Sequence, residues 1–98
     1  MTLIMVTRRV RCTDGERRVA VDTVDLPPAL ALPIEALLSQ LDLVDLESRS
    51  PMRGRGGRYE YDVKVHRGVE RHVFTCEEGN VGRVLGDLLE LLLVGPLA

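Results

Sequence analysis

The chain of 98 residues has little of several residue types, and each shortage excludes a class of protein. It has no tryptophan, two tyrosines, one phenylalanine and two cysteines, and so few cysteines cannot build a disulfide scaffold. The formal net charge of −2 gives no overall field that would draw the chain onto nucleic acid or an anionic membrane. Since no run of about 18 apolar residues occurs, the sequence predicts no transmembrane helix.

What the chain does contain is typical of one small folded domain over residues 1–98, because two independent cores need more chain. Hydrophobic residues make up 45% of it and charged residues 29%, proportions that exclude a disordered chain. The first residues lack the basic start, the long apolar stretch and the cleavage site of a secretory signal. We therefore expect a cytoplasmic protein in which Cys12 and Cys76 are small buried thiols.

Two β-hairpins are predicted from apolar residues that alternate with polar ones, the period of a half-buried strand. The first hairpin has Asp14-Gly15 at its centre, a pair favoured in two-residue turns, which places Val10 opposite Val19. The second hairpin is centred on Arg67-Gly68, which places Tyr61 opposite Phe74.

Each hairpin is followed by a predicted helix. The first helix begins after Asp25, a good capping residue, and Pro33 either kinks it or restarts it. The last helix begins at Asn80, another good cap, and ends at Gly95-Pro96. The fold class is therefore α+β, a four-stranded antiparallel sheet with two helices on one face, in the order ββαββα.

No catalytic or metal-binding motif is present, so we expect neither an enzyme nor a bound cofactor. His66 lies beside a predicted turn and is expected in solvent, whereas His72 on the apolar face is expected to be a hydrogen-bonded packing residue. The segment 49–58 is rich in arginine and glycine and precedes Tyr59, a composition found in RNA-binding segments. It is short and the chain is acidic overall, so we interpret it as a solvated loop and expect no nucleic-acid partner.

Short motifs spread over nearly the whole chain follow one another in a characteristic order. They are Val21-Asp22-Thr23 with Leu26-Pro27, Glu35-Ala36-Leu37-Leu38, Asp42-Leu43 with Leu46, Tyr59-x-Tyr61-x-Val63-x-Val65, Gly68, Arg71-His72-x-Phe74 and a final leucine-rich helix. In these motifs the chain resembles the emfourin family, small cytoplasmic bacterial proteins that inhibit thermolysin-like zinc metallopeptidases of the protealysin type. The resemblance implies the ββαββα fold and inhibition by non-covalent occlusion of the peptidase active site, without bound metal. The chain departs from the family in its first hairpin, which lacks a glycine-rich turn with an aromatic residue.

If the resemblance holds, we expect the tip of the first hairpin to contact the peptidase, because a turn with one conformation loses little entropy on docking. Its arginines form a basic patch with no compensating acids. Asp14 or Glu16 either approaches the peptidase zinc or is simply a turn residue. The expected contacts are Arg9, Arg11, Thr13, Asp14, Gly15, Glu16, Arg17 and Arg18, and a second candidate surface consists of Arg53, Arg55 and Arg58.

The alternative function is a non-catalytic interaction module of unknown partner. The final helix is apolar nearly all round, more than one sheet face covers, which favours a homodimer through that helix. The expected oligomer surface consists of Leu91, Leu93 and Val94.

Overall fold

The structure, a computed structural model, describes residues 2–11, 13–53 and 57–94. These ranges contain four strands, three α-helices and two 3₁₀ turns, at Thr23–Asp25 and Glu78–Asn80. The α+β class and the four-stranded antiparallel sheet are confirmed, but the two-helix order ββαββα is wrong, because a second short helix precedes the third strand. The strands and helices are β1 (Thr2–Val10), β2 (Glu16–Asp22), α1 (Pro28–Ser39), α2 (Leu43–Arg49), β3 (Tyr59–Arg67), β4 (Glu70–Glu77) and α3 (Gly82–Leu93).

The sheet has the order β2-β1-β3-β4, and one of its faces packs against the helices. Along β1, Ile4 and Val6 are 1% exposed, whereas the residues between them are partly exposed. The same alternation continues across the sheet, since Val6 is paired with Val19 on one side and with Val63 on the other. The core between sheet and helices includes Ile4, Val6, Ile34, Leu38, Val63, Val65, Phe74, Leu85, Leu88 and Leu92.

The first hairpin has a longer turn than the two-residue turn predicted from Asp14-Gly15. Val19 lies opposite Val6 rather than Val10, so the predicted register is wrong by four residues. The hydroxyl of Thr13 accepts a hydrogen bond from the N–H of Gly15, at 3.1 Å, and closes a local turn that strand alternation does not reveal. Because the error is an even number, the predicted residues still face the core.

The second hairpin is also displaced from its predicted register, by two residues, so that Tyr61 lies opposite Cys76 rather than Phe74. Its turn consists of Gly68 and Val69, and Gly68 has a φ of 63°. Glycine adopts this left-handed backbone without steric cost, and a two-residue turn with glycine first suits the twist of a hairpin.

The helix ends differ from those predicted. Asp25 lies in a 3₁₀ turn instead of capping α1, which begins at Pro28 and continues through Pro33. Asp42 caps the additional helix α2, where its Oδ1 accepts from the N–H of Asp45 at 3.0 Å. Asn80 does not cap α3, because it lies in the preceding 3₁₀ turn and Val81 stands at the N-cap; its side-chain amide donates to the carbonyl of Arg53 at 3.1 Å. The predicted helix end at Gly95-Pro96 lies outside the described residues.

Cys76 is fully buried in the core as a free thiol, which confirms that prediction. Burial raises the pKa of the Cys76 thiol to about 12, so at neutral pH it is not a nucleophile. The matching prediction for Cys12 lies outside the described residues. Among the helices that the structure describes, none is long and apolar enough to cross a membrane.

Candidate functional site

A concave groove with a volume of about 490 Å³ lies at the tip of the first hairpin. Six of the predicted contact residues line it, whereas Arg17 and Arg18 lie beyond it on β2. Glu60 of β3 also contributes, because it is paired with Arg9 across the sheet. The lining residues are Arg9, Val10, Arg11, Thr13, Asp14, Gly15, Glu16 and Glu60.

Three hydrogen bonds fix the backbone of this tip. The N–H of Val10 donates to the carbonyl of Gly15 at 2.9 Å, and the N–H of Gly15 donates to the Thr13 hydroxyl at 3.1 Å. The N–H of Arg11 donates to the carbonyl of Arg58 at 2.9 Å, which extends the pairing of β1 with β3 beyond the strand. A tip held in this way is already ordered before any partner binds.

Arg9 does not belong to an uncompensated basic patch, so that expectation is wrong. Its guanidinium pairs with both oxygens of Asp62 and with Glu60, at 2.5 Å from Glu60 Oε1. The hydroxyl of Thr75 adds a hydrogen bond to Asp62 Oδ1 at 2.9 Å. These contacts raise the pKa of Arg9 and lower that of Asp62, mainly through the hydrogen bonds between the two side chains. Arg9 therefore joins β1 to β3 rather than offering a free charge.

The other tip arginines are also less free than the sequence predicts. Arg11 lies 3.5 Å from Glu77 Oε2 and donates to the carbonyl of Gly57 at 3.4 Å. Arg18 donates from Nε to Glu16 at 2.8 Å. Within the described part of the chain, Arg17 and Asp14 are the exposed tip charges without an ion-pair partner. Among the described residues, the tip therefore presents one unpaired positive charge, Arg17, and one unpaired negative charge, Asp14.

The second candidate surface adjoins the hairpin tip, which the sequence did not reveal. Arg58 is exposed and its carbonyl is bound to Arg11, while its N–H donates to Glu78 Oε1 at 2.8 Å. Arg53 is exposed as well, and Arg55 lies outside the described residues. Of the second candidate surface, Arg58 therefore adjoins the hairpin tip.

The apolar surplus on the final helix is smaller than predicted. Leu93 is only 4% exposed because it packs into the core, and Leu91 is partly buried against that core. Val94, just beyond the end of α3, is 67% exposed, and it lines a shallow surface depression together with the partly exposed Leu91. Leu93 continues the spacing of Leu85, Leu88, Leu89 and Leu92, so helical periodicity itself places Leu93 on the core stripe and the expectation that it faces a partner is wrong.

His72 is a buried, hydrogen-bonded packing residue, as predicted. It is 7% exposed, and its Nδ1 lies 2.7 Å from Glu47 Oε1 of α2. The other oxygen of Glu47 accepts the N–H of Val73 at 3.0 Å, so one carboxylate fastens α2 to the edge of β4. Sequence analysis missed Glu47, because nothing in the spacing of α2 indicates which acid turns toward the sheet.

We expect the free energy of unfolding to fall as the pH rises from about 6 to about 8. The hydrogen bond from Glu47, and then that from Glu70, raises the pKa of His72 above its ordinary value. Because the pKa of His72 is higher in the folded state, the protonated imidazole stabilises the fold at pH values below its unfolded pKa of about 6.5. This contribution to the free energy of unfolding is lost as the pH rises through the folded pKa. The N–H of Val73, and then His72, lowers the pKa of Glu47, whose own contribution is lost only in acid.

Thermal unfolding followed across this pH range measures the effect, and Glu47→Gln is the matched variant. Glutamine keeps an oxygen for the N–H of Val73 but removes the charge that holds the proton on His72. The variant should therefore show a flatter dependence of Tm on pH between about 6 and 8. An unchanged slope would mean that another group, not His72, causes the dependence.

Among the described residues, no three histidine, cysteine, aspartate or glutamate side chains lie close enough together to hold a metal ion. His72 is occupied by two glutamates, and the Cys76 thiol is buried. The hairpin tip, with its ordered backbone and its concave surface, is therefore the candidate functional site.

The model of the Emfourin family matches residues 12–93, most of the chain, from the first hairpin turn to the end of α3. No curated protein and no solved structure matches the chain.

Proposed function

Since the chain belongs to the Emfourin family, we propose that it is a proteinaceous inhibitor of thermolysin-like zinc metallopeptidases of the protealysin type. Inhibition would be by non-covalent occlusion of the peptidase active site, with no cofactor and no reaction catalysed by the chain itself. The resemblance of the motifs and the family match over residues 12–93 support the inhibitor class. We take the bacterial cytoplasm, where such inhibitors act, as the compartment shared with the peptidase.

The single observation that carries the proposed mechanism is the fixed backbone of the hairpin tip. Val10, Thr13 and Gly15 hold the turn through their own hydrogen bonds, so little conformational entropy is lost when it enters a cleft. Arg58 adjoins the tip through its carbonyl, which accepts the N–H of Arg11, and would meet the rim of the same cleft. A rigid protrusion with a charged rim is a common way for one protein to block the active site of another.

Two acids at the tip are candidates to face the peptidase zinc, and they differ in their own contacts. Glu16 is held by Arg18 at 2.8 Å, whereas the Asp14 carboxylate is exposed and has no partner among the described residues. Of the two, Asp14 is the one free to meet a cation. Occlusion itself does not require that contact.

Titration of a thermolysin-like peptidase from the same genome with the purified chain tests the function, with cleavage of a short peptide as the readout. We expect stoichiometric loss of activity at about nanomolar concentration, the affinity range of tight protein inhibitors. Full activity at a large excess of the chain would contradict the inhibitor role. We would then propose the alternative, a non-catalytic homo-oligomeric interaction module, with Leu91 and Val94 at the end of α3 as the predicted contacts that keep exposed surface.

A further inference from the structure

The two edge strands of the sheet, β4 and β2, differ in how far other parts of the chain cover their outward backbone groups. On β4, three of the four outward N–H groups are occupied by α2 and by the segment that follows it. Val73 donates to Glu47 at 3.0 Å, Thr75 donates to Ser50 Oγ at 2.9 Å, and Glu77 donates to the carbonyl of Met52 at 2.8 Å. This edge is therefore closed to any further strand.

The edge formed by β2 has no such cover. The bond from the N–H of Val10 to the carbonyl of Gly15 shows that odd-numbered residues of β2 pair with β1, since hydrogen-bonded pairs alternate. The N–H and carbonyl groups of Arg18 and Ala20 therefore point away from the sheet. Both residues are exposed, and nothing within residues 2–11, 13–53 and 57–94 donates to or accepts from these outward groups. An open strand edge of this kind is a template for another strand.

The charges on β2 favour one register for antiparallel pairing between the β2 strands of two copies of the chain. In an antiparallel pair related by a two-fold axis, the central residue lies opposite its own copy. Centring on Arg17 or Arg18 sets two guanidinium groups face to face, and centring on Val19 sets Glu16 opposite the partner's Asp22. Centring on Ala20 instead places Arg18 opposite the partner's Asp22, and this favourable pair occurs twice.

The register centred on Ala20 also fits the other side chains of β2. Ala20 is small, and Val19 comes opposite the partner's Val21 on the face that carries the core. Asp22 uses Oδ1 to accept the N–H of Val24, at 3.0 Å, which leaves its second oxygen for an arginine. Arg18 uses Nε for Glu16, which leaves its two terminal nitrogens for the partner's Asp22.

We propose that β2 pairs antiparallel with β2 of a second copy of the chain, centred on Ala20, so that two sheets join into one. The proposal is separate from peptidase inhibition, because Ala20 and Asp22 lie beyond the hairpin tip, and of the paired residues only Arg18, which holds Glu16, also belongs to the tip. A seam of one short strand is small for a protein interface, so the dimer forms in a concentration-dependent way rather than permanently.

Sedimentation equilibrium of the whole chain over a wide concentration range tests this, with Ala20→Pro as the variant. Proline removes an outward N–H and is tolerated on an edge strand when that N–H makes no bond within the sheet. We expect the dimer Kd to rise at least tenfold, while Val94→Glu on α3 leaves it unchanged. A wild-type chain that stays monomeric at every concentration, or a dimer lost in Val94→Glu and kept in Ala20→Pro, would overturn the proposal.

A charge exchange tests the register even if Ala20→Pro disturbs the fold. Arg18→Asp alone sets two acids against each other at both ends of the seam, and Asp22→Arg alone sets two arginines against each other. Each variant should dimerise at least tenfold more weakly than the wild type. An equimolar mixture should form a heterodimer near wild-type strength, because both opposite-charge pairs are restored. A mixture that stays monomeric would overturn the register centred on Ala20.

Discussion

A chain carrying Asp14→Arg together with Arg17→Glu should inhibit its peptidase at least tenfold more weakly than the wild type. Both side chains are exposed at the hairpin tip and have no ion-pair partner among the described residues. Reversing them therefore changes the contact surface without breaking a contact of the fold. A tenfold rise in the inhibition constant corresponds to about 1.4 kcal/mol, the loss expected from one or two unfavourable charges at an interface.

The two substitutions together leave the net charge of −2 unchanged, so long-range attraction between inhibitor and peptidase stays the same. The other hairpin turn supplies the control. It lies at the opposite end of the sheet, since Thr2 is paired with Arg67 whereas Val10 is paired with Tyr59. Val69 in that turn is fully exposed, so Val69→Arg should leave inhibition unchanged.

Inhibition constants for the three proteins, measured with the same peptide substrate, separate the outcomes. If the tip variant inhibits as well as the wild type, the tip is not the contact. Arg58→Glu would then test the adjoining surface, which is exposed and bonded to the tip through Arg11. If Val69→Arg weakens inhibition instead, the peptidase binds the opposite end of the sheet.

The sequence predicts the faces of the strands well and their registers poorly, for a physical reason. Alternation fixes which side of a strand is apolar, and Val19, Tyr61 and Phe74, which the sequence places in apolar pairs, pack in the core or against it. Register depends on the length of the turn. The first turn is longer than two residues and is closed by the hydrogen bond to the Thr13 hydroxyl, which the alternation of apolar and polar residues does not predict. An error of two or four residues leaves every side chain on its own face, so the fold class stays correct.

The position of the hairpin tip could be predicted from the sequence, but its electrostatics could not. A turn between two strands is a local signal, and the tip is where that signal places it. The partners of Arg9 are Glu60 and Asp62, which are distant in the chain and become neighbours only when β3 is placed beside β1. Charges counted along the chain therefore overestimate the free positive charge of the tip.

The largest expected effect on stability comes from Leu38→Ala. Leu38 lies on α1, is 0% exposed, and belongs to the core between the sheet and the helices. Removing its buried methyl groups leaves a cavity that rigid neighbours fill only in part, which costs about 2–5 kcal/mol. For a domain of this size, each kcal/mol lowers Tm by about 4–8 °C, so we expect a decrease of at least about 8 °C.

The same helix offers a matched control, Leu32→Ala. Leu32 carries the same side chain on α1 but is 67% exposed, so its removal should change the free energy of unfolding by no more than about 0.5 kcal/mol. Both substitutions alter helix propensity equally, and the difference between them therefore measures burial alone. Chemical denaturation of the two variants gives that difference directly. Equal destabilisation by both would mean that α1 does not pack on the sheet through Leu38, and the position of the helix over the core would be wrong.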